Sequence, residues 1–81
     1  MRLPRDISGQ RLAELLGRVG YSPVRQSGSH LRLSTGGANE HHITIPLHDP
    51  LRLGTLSGIL SDVADHLGVP REQLVETLFG R

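Results

Sequence analysis

The apolar residues change their spacing twice along this chain, and that change limits the architectures open to it. Leu12, Leu15, Leu16 and Val19 recur as on one face of a helix. Leu31 with Leu33, and Ile43 with Ile45 and Leu47, instead alternate, as in strands that bury one side. Leu56, Ile59, Leu60, Val63 and Leu67 then return to helical spacing. Helix, strands, helix in that order predicts the α+β class.

Capping and turn residues set the boundaries. Ser8 is a good N-cap, and Ile7 with Leu12 has the spacing of a hydrophobic staple. Gly20 suits a left-handed position after the helix, and Tyr21 is placed to fold back on Leu16. The first helix is therefore expected over about residues 9–19. Val24 to Gln26 and His30 to Ser34 read as two strands around a Ser27-Gly28 turn. A third strand is expected over about His42 to Leu47, after a polar loop from Thr35 to Glu40. Pro46 points to a strand that is near an edge or is ending there. A turn at His48-Asp49-Pro50 leads to a second helix, which begins near Gly54-Thr55 and closes at Gly68. Pro70 suits the start of a short final helix carrying Leu74, Val75 and Leu78. The expected product is one domain over residues 1–81: a three-stranded antiparallel sheet with helices on one face and the other face open.

Composition removes several function classes. There is no cysteine, so neither a disulfide framework nor a thiolate zinc site can form. No segment approaches the ~20 apolar residues that a membrane helix requires, so a cytoplasmic protein is expected. Every basic residue is arginine, and six of the nine lie in residues 1–32 against only Asp6 and Glu14. Arginine's planar fork grips phosphate bidentately. A net charge of only +1 argues against strong non-specific nucleic-acid binding.

The expected register pairs Gln26 with Ser29, Arg25 with His30 and Val24 with Leu31. Val24, Leu31 and Leu33 would be buried. Arg25, His30 and Arg32 would share the open face with His42 and Thr44, and His48 has the same parity at the end of the third strand. Such a face has the parts for metal-independent RNA cleavage. The 2′-hydroxyl of RNA is a built-in nucleophile, histidine is the usual proton carrier near neutral pH, and guanidinium groups stabilise charge on phosphorus. His30 is the candidate acid/base, with His48 and Ser29 as auxiliary candidates. A binding module without catalysis would use the same face. A metal site from His41, His42, His48 and Asp49 is a further alternative, although adjacent strand residues point to opposite sides. Tyr21 reads as a packing residue, Arg11 and Arg18 as outer-face residues, and His66 as a surface or helix-end residue.

Several landmarks stand together in order: Ser8-Gly9, Gly20-Tyr21, and Arg25-Gln26-x-Gly28-Ser29-His30. They continue as Ile45-Pro46-x-His48 and Leu53-x-Thr55-Leu56-x-x-Ile59-Leu60. From about Asp6 to Leu78 the chain resembles the HicA family of toxins. That resemblance implies a double-stranded-RNA-binding-like fold, although fold by itself assigns no function. It implies a ribonuclease acting on mRNA without metal or other cofactor, and an essential histidine that maps onto His30. Arg25, Arg32, Gln26, Gly28 and Ser29 are the expected RNA-binding positions. It also implies a HicB-type antitoxin that covers the active face. The chain departs from the pattern in having Leu31 where many members carry a second histidine, and in having no lysine.

Overall fold

A computed structural model describes residues 3–80. The first helix, α1, runs Gly9–Leu16 and is followed by a 3-10 turn over Gly17–Val19. Ser8 caps it as expected, its hydroxyl oxygen accepting from the Arg11 amide at 3.0 Å, a contact of about 1 kcal/mol. The helix tightens before residue 19 because Gly20 turns left-handed at φ 98°. Its amide reaches back to the Gly17 carbonyl, while the Tyr21 amide reaches Leu16.

Three antiparallel strands follow in spatial order: β1 (Ser22–Ser27), β2 (His30–Ser34) and β3 (His42–Pro46). Helices α2 (Leu53–Leu67) and α3 (Arg71–Phe79) complete the chain. Gly68, at φ 69°, closes α2, and the Val69 amide donates to Ala64 in the pattern of a Schellman turn. The α+β architecture is as the apolar spacing predicts. Leu12, Leu16, Leu33, Ile45, Leu60 and Leu78 are fully buried in one core, so the helices cover the sheet face carrying the alternating apolar residues. Among the described residues no helix is long and apolar enough to cross a membrane.

One strand departs from expectation. Val24 is 56% exposed rather than packed on Leu31. The β1–β2 register shifts between Pro23 and Arg25, so Val24 sits in a bulge. Pro23 lacks an amide for the ladder, and a bulge at an edge strand accommodates it.

The junction of α1 with β3 holds the two layers together. The Gly9 amide donates to the His48 carbonyl at 2.8 Å, and Leu51 donates to Ile7 at 2.8 Å. Leu47 lies past β3 but still donates to Ser29 at 2.6 Å, extending the pairing with β2. Gly9 is required by contact, since a Cβ there would fall on the Pro46 carbonyl. Main chain on both sides cannot yield as a flexible side chain can. Gly9→Ala should therefore cost about 1–3 kcal/mol in urea unfolding. Gly58→Ala, in open space on α2, should be neutral or stabilising by up to ~1 kcal/mol.

Candidate active site

The open face is arranged by the turn between β1 and β2. Gly28 adopts φ 58°, and no residue other than glycine has positive φ among those described. A two-residue turn with its left-handed residue first is of the type II′ kind, which wants glycine at that position. The turn is therefore Gly28-Ser29, not Ser27-Gly28, and the pairing moves two residues along. Ser27 faces His30, and Arg25 faces Arg32 instead of His30. Because the shift is even, no side chain changes face.

Arg25, Ser27, His30, Arg32 and Thr44 line a recess of about 260 Å³ on this face. Two arginines directly opposite each other in a ladder repel by up to about 1 kcal/mol. Among the described residues no carboxylate forms an ion pair with Arg25. Two guanidiniums facing each other beside an imidazole, with Arg25 lacking a carboxylate partner, give the recess the donors that an anion needs.

Arg32 is tied to a second histidine. Its Nε donates to His42 Nδ1 at 3.3 Å, and His42 Nε2 lies 3.0 Å from a Glu40 carboxylate oxygen. The other Glu40 oxygen accepts from the Ser34 hydroxyl at 2.9 Å. These contacts, Ser34 first and then His42, hold the Glu40 carboxyl below its ordinary value. The chain Ser34–Glu40–His42–Arg32 orients one wall of the recess.

A further cluster lies beyond β3. Tyr21 is 2% exposed, and its hydroxyl is 2.7 Å from His41 Nδ1. His41 Nε2 approaches Asp62 at 3.3 Å, and the ring stacks on His66 with centroids 4.5 Å apart. A neutral His41 protonated on Nε2 satisfies both partners. His41 and His42 thus leave the strand on opposite sides to different partners. Among the described residues no three histidines, cysteines or carboxylates are grouped as a metal site needs.

A family model for the HicA toxins of bacterial toxin–antitoxin systems matches residues 9–64, from the start of α1 almost to the end of α2.

The chain belongs to the HicA toxin family.

Neither the curated proteins nor the solved structures hold a significant match to it. The match to the HicA toxins contains the whole sheet and all five recess residues, whereas α3 lies outside it.

Of the expected site residues, the structure brings together Arg25, His30 and Arg32 and separates the others. Ser29 is in the turn, where its carbonyl accepts from Leu47. Gln26 pairs with Leu31, on the opposite parity, and its side chain bonds the Gly28 carbonyl at 3.2 Å. Gly28 shapes the turn rather than the recess. His48 is exposed beyond β3 and does not line the recess, because its main chain is taken up by the α1 junction. Leu31, next to His30, is buried. Sequence reasoning missed Ser27, whose role depends on the turn type. It also missed Glu40, although its spacing of two from His42 signals a shared face.

Burial, and then the Asp62 charge, push the Tyr21 hydroxyl from 10.0 up to about 12. The fold favours the neutral phenol, so this contribution is full below the ordinary value and is lost as pH rises through about 12. Ultraviolet titration should show Tyr21, the one tyrosine, ionising well above free tyrosine. Tyr21→Phe should cost about 1 kcal/mol in thermal or urea unfolding.

Proposed function

We propose that this HicA-family toxin is a metal-independent endoribonuclease that cleaves mRNA in the recess around His30. The observation that carries the reading is the opposed pair Arg25 and Arg32 lining one small recess with His30. A phosphodiester would place an anion between the two guanidiniums, with the imidazole beside it.

The reaction draws on the chain's own side chains, the RNA and water. His30 accepts the proton of the 2′-hydroxyl, whose oxygen attacks the adjacent phosphorus. Arg25 and Arg32 stabilise the charge that builds on the phosphoryl oxygens. The bond from phosphorus to the 5′-oxygen breaks, and that oxygen takes up a proton from the protonated imidazole or from water. The products are a 2′,3′-cyclic phosphate and a 5′-hydroxyl end. Ser27, opposite His30, and Thr44 offer hydroxyls to the bound phosphate. The chain from Ser34 to Arg32 acts at one remove, by fixing the Arg32 fork.

The natural partner in this reading is a HicB-type antitoxin. An exposed face on which Arg25 and Arg32 oppose each other favours an acidic covering surface, which would displace RNA by occupying the same recess. An mRNA substrate and such a partner place the protein in the cytoplasm.

The test is cleavage of an mRNA fragment by the purified chain in excess chelator. Wild type should produce 5′-hydroxyl ends. His30→Ala should lower the rate by about 10²–10⁴-fold, and Arg25→Ala by about 10²-fold, with both variants folded by circular dichroism. RNA binding without cleavage by any form would make the face a binding module, and 5′-phosphate ends would contradict the mechanism.

A further inference from the structure

A groove of about 450 Å³ adjoins the His30 recess and shares Arg32 and Thr44 with it. It runs between the outer edge of β3 and helix α2, where Gly54, Gly58, Ile59 and Asp62 form the opposite wall. Its size suits one nucleotide-sized ligand.

The β3 edge presents main-chain groups to this groove. Leu47 donates to Ser29, and Thr35 donates to His41. In the continuous register between them, Ile45 and Ile43 are thus the residues that bond β2. His42 and Thr44 turn their N–H and C=O groups away from β2, towards α2. An adjacent donor and acceptor on an extended backbone match the donor–acceptor edges by which unstacked RNA bases are read. On the facing wall, a Cβ at Gly54 or Gly58 would meet nothing within 4 Å.

Charge separates the two compartments. The recess has Arg25 and Arg32 and no carboxylate in its lining, whereas the groove shares only Arg32 and sets the Asp62 carboxylate against it, so a phosphate is drawn to the recess. An uncharged base fits there, and a carboxylate accepts from an exocyclic amino group. Arg32 and His42 are separated along the sheet by one two-residue step, about 7 Å, on the order of one nucleotide. A peptide strand fits less well. Only His42 and Thr44 offer complete pairs, Pro46 has no amide, and Gly9 covers the Pro46 carbonyl.

We infer that this groove is a base-binding subsite for the nucleotide next to the scissile phosphate, selecting a base with an amino group over uracil. The inference rests on the ribonuclease reading of the recess. The β3 edge of His42 and Thr44 reads the base, Asp62 accepts from its amino group, and the two glycines leave the space it fills.

The test uses 2′-O-methyl oligonucleotides, which cannot be cleaved by attack of the 2′-hydroxyl, with an abasic site moved through the sequence. Wild type should show one position where losing the base weakens binding at least tenfold, and where uracil is poorer than cytosine. Gly58→Leu fills the groove from a helical position with open space, so the fold is retained. It should bind the intact oligonucleotide as weakly as wild type binds the abasic one. Asp62→Asn should reduce the preference for cytosine over uracil. Equal binding by wild type and Gly58→Leu, or no base-dependent position, would overturn the subsite. So would a Gly58→Leu variant that keeps its RNA behaviour and escapes antitoxin, since the groove would then dock protein. Cleavage by wild type without a base-dependent position would remove the subsite alone. Base-dependent binding without cleavage would remove the ribonuclease reading alone.

Discussion

The left-handed turn at Gly28 determines how Arg25, His30 and Arg32 stand on the open face, because a two-residue hairpin fixes the register of the pairs that follow it, here as far as the bulge at Val24. With Gly28 first in the turn, Ser27 meets His30 and Arg25 meets Arg32. Moving the turn by one residue would put Arg25 against His30 and leave Arg32 opposite an uncharged side chain. The like-charge pair is a local cost that the sheet carries, eased in part by the Glu40 carboxylate near Arg32 and further by an anion between the guanidiniums. Stability alone would favour a different pair. The arrangement is the kind of local compromise expected where a surface is built to bind.

That face is free because the other side of the sheet does the work of folding. Leu33 and Ile45 are buried completely with Leu12, Leu16, Leu60 and Leu78. The main-chain bonds from Gly9 to His48, Leu51 to Ile7 and Leu47 to Ser29 fasten the first helix, the end of β3 and the hairpin turn together. The turn that positions His30 is thereby anchored to the helical layer. Hairpin, clamp and core form one mechanical unit behind the recess.

Much of this architecture is legible in the sequence. The alternation of Leu31 with Leu33 and of Ile43 with Ile45 identifies the buried side of the strands, and with it the shared face of Arg25, His30, Arg32, His42 and Thr44. The Ser8 cap and the glycines at 20 and 68 mark helix ends because each corrects a particular backbone deficit. What could not be read depends on geometry that residue types leave open. Ser-Gly and Gly-Ser are both acceptable turn pairs, and only the backbone conformation chooses between them. Val24 looks like a core residue until Pro23 forces a bulge. His48 has the right parity for the open face, yet the α1 junction takes the chain away from the recess. Glu40 looks like loop, and its bonds to Ser34 and His42 depend on how that loop returns to the sheet. The groove beside β3 joins residues from distant elements and has no local signature.

The central claim is that a 2′-hydroxyl, deprotonated by His30 while Arg25 and Arg32 hold the phosphate, is the nucleophile. The most direct measurement places a single 2′-deoxynucleotide at the cleavage position of an otherwise unmodified RNA and follows its products. The account predicts that cleavage stops at that bond, while the oligonucleotide still binds with its usual affinity. Cleavage that continues there at an unchanged rate would mean that water is the nucleophile, and would contradict the role given to His30.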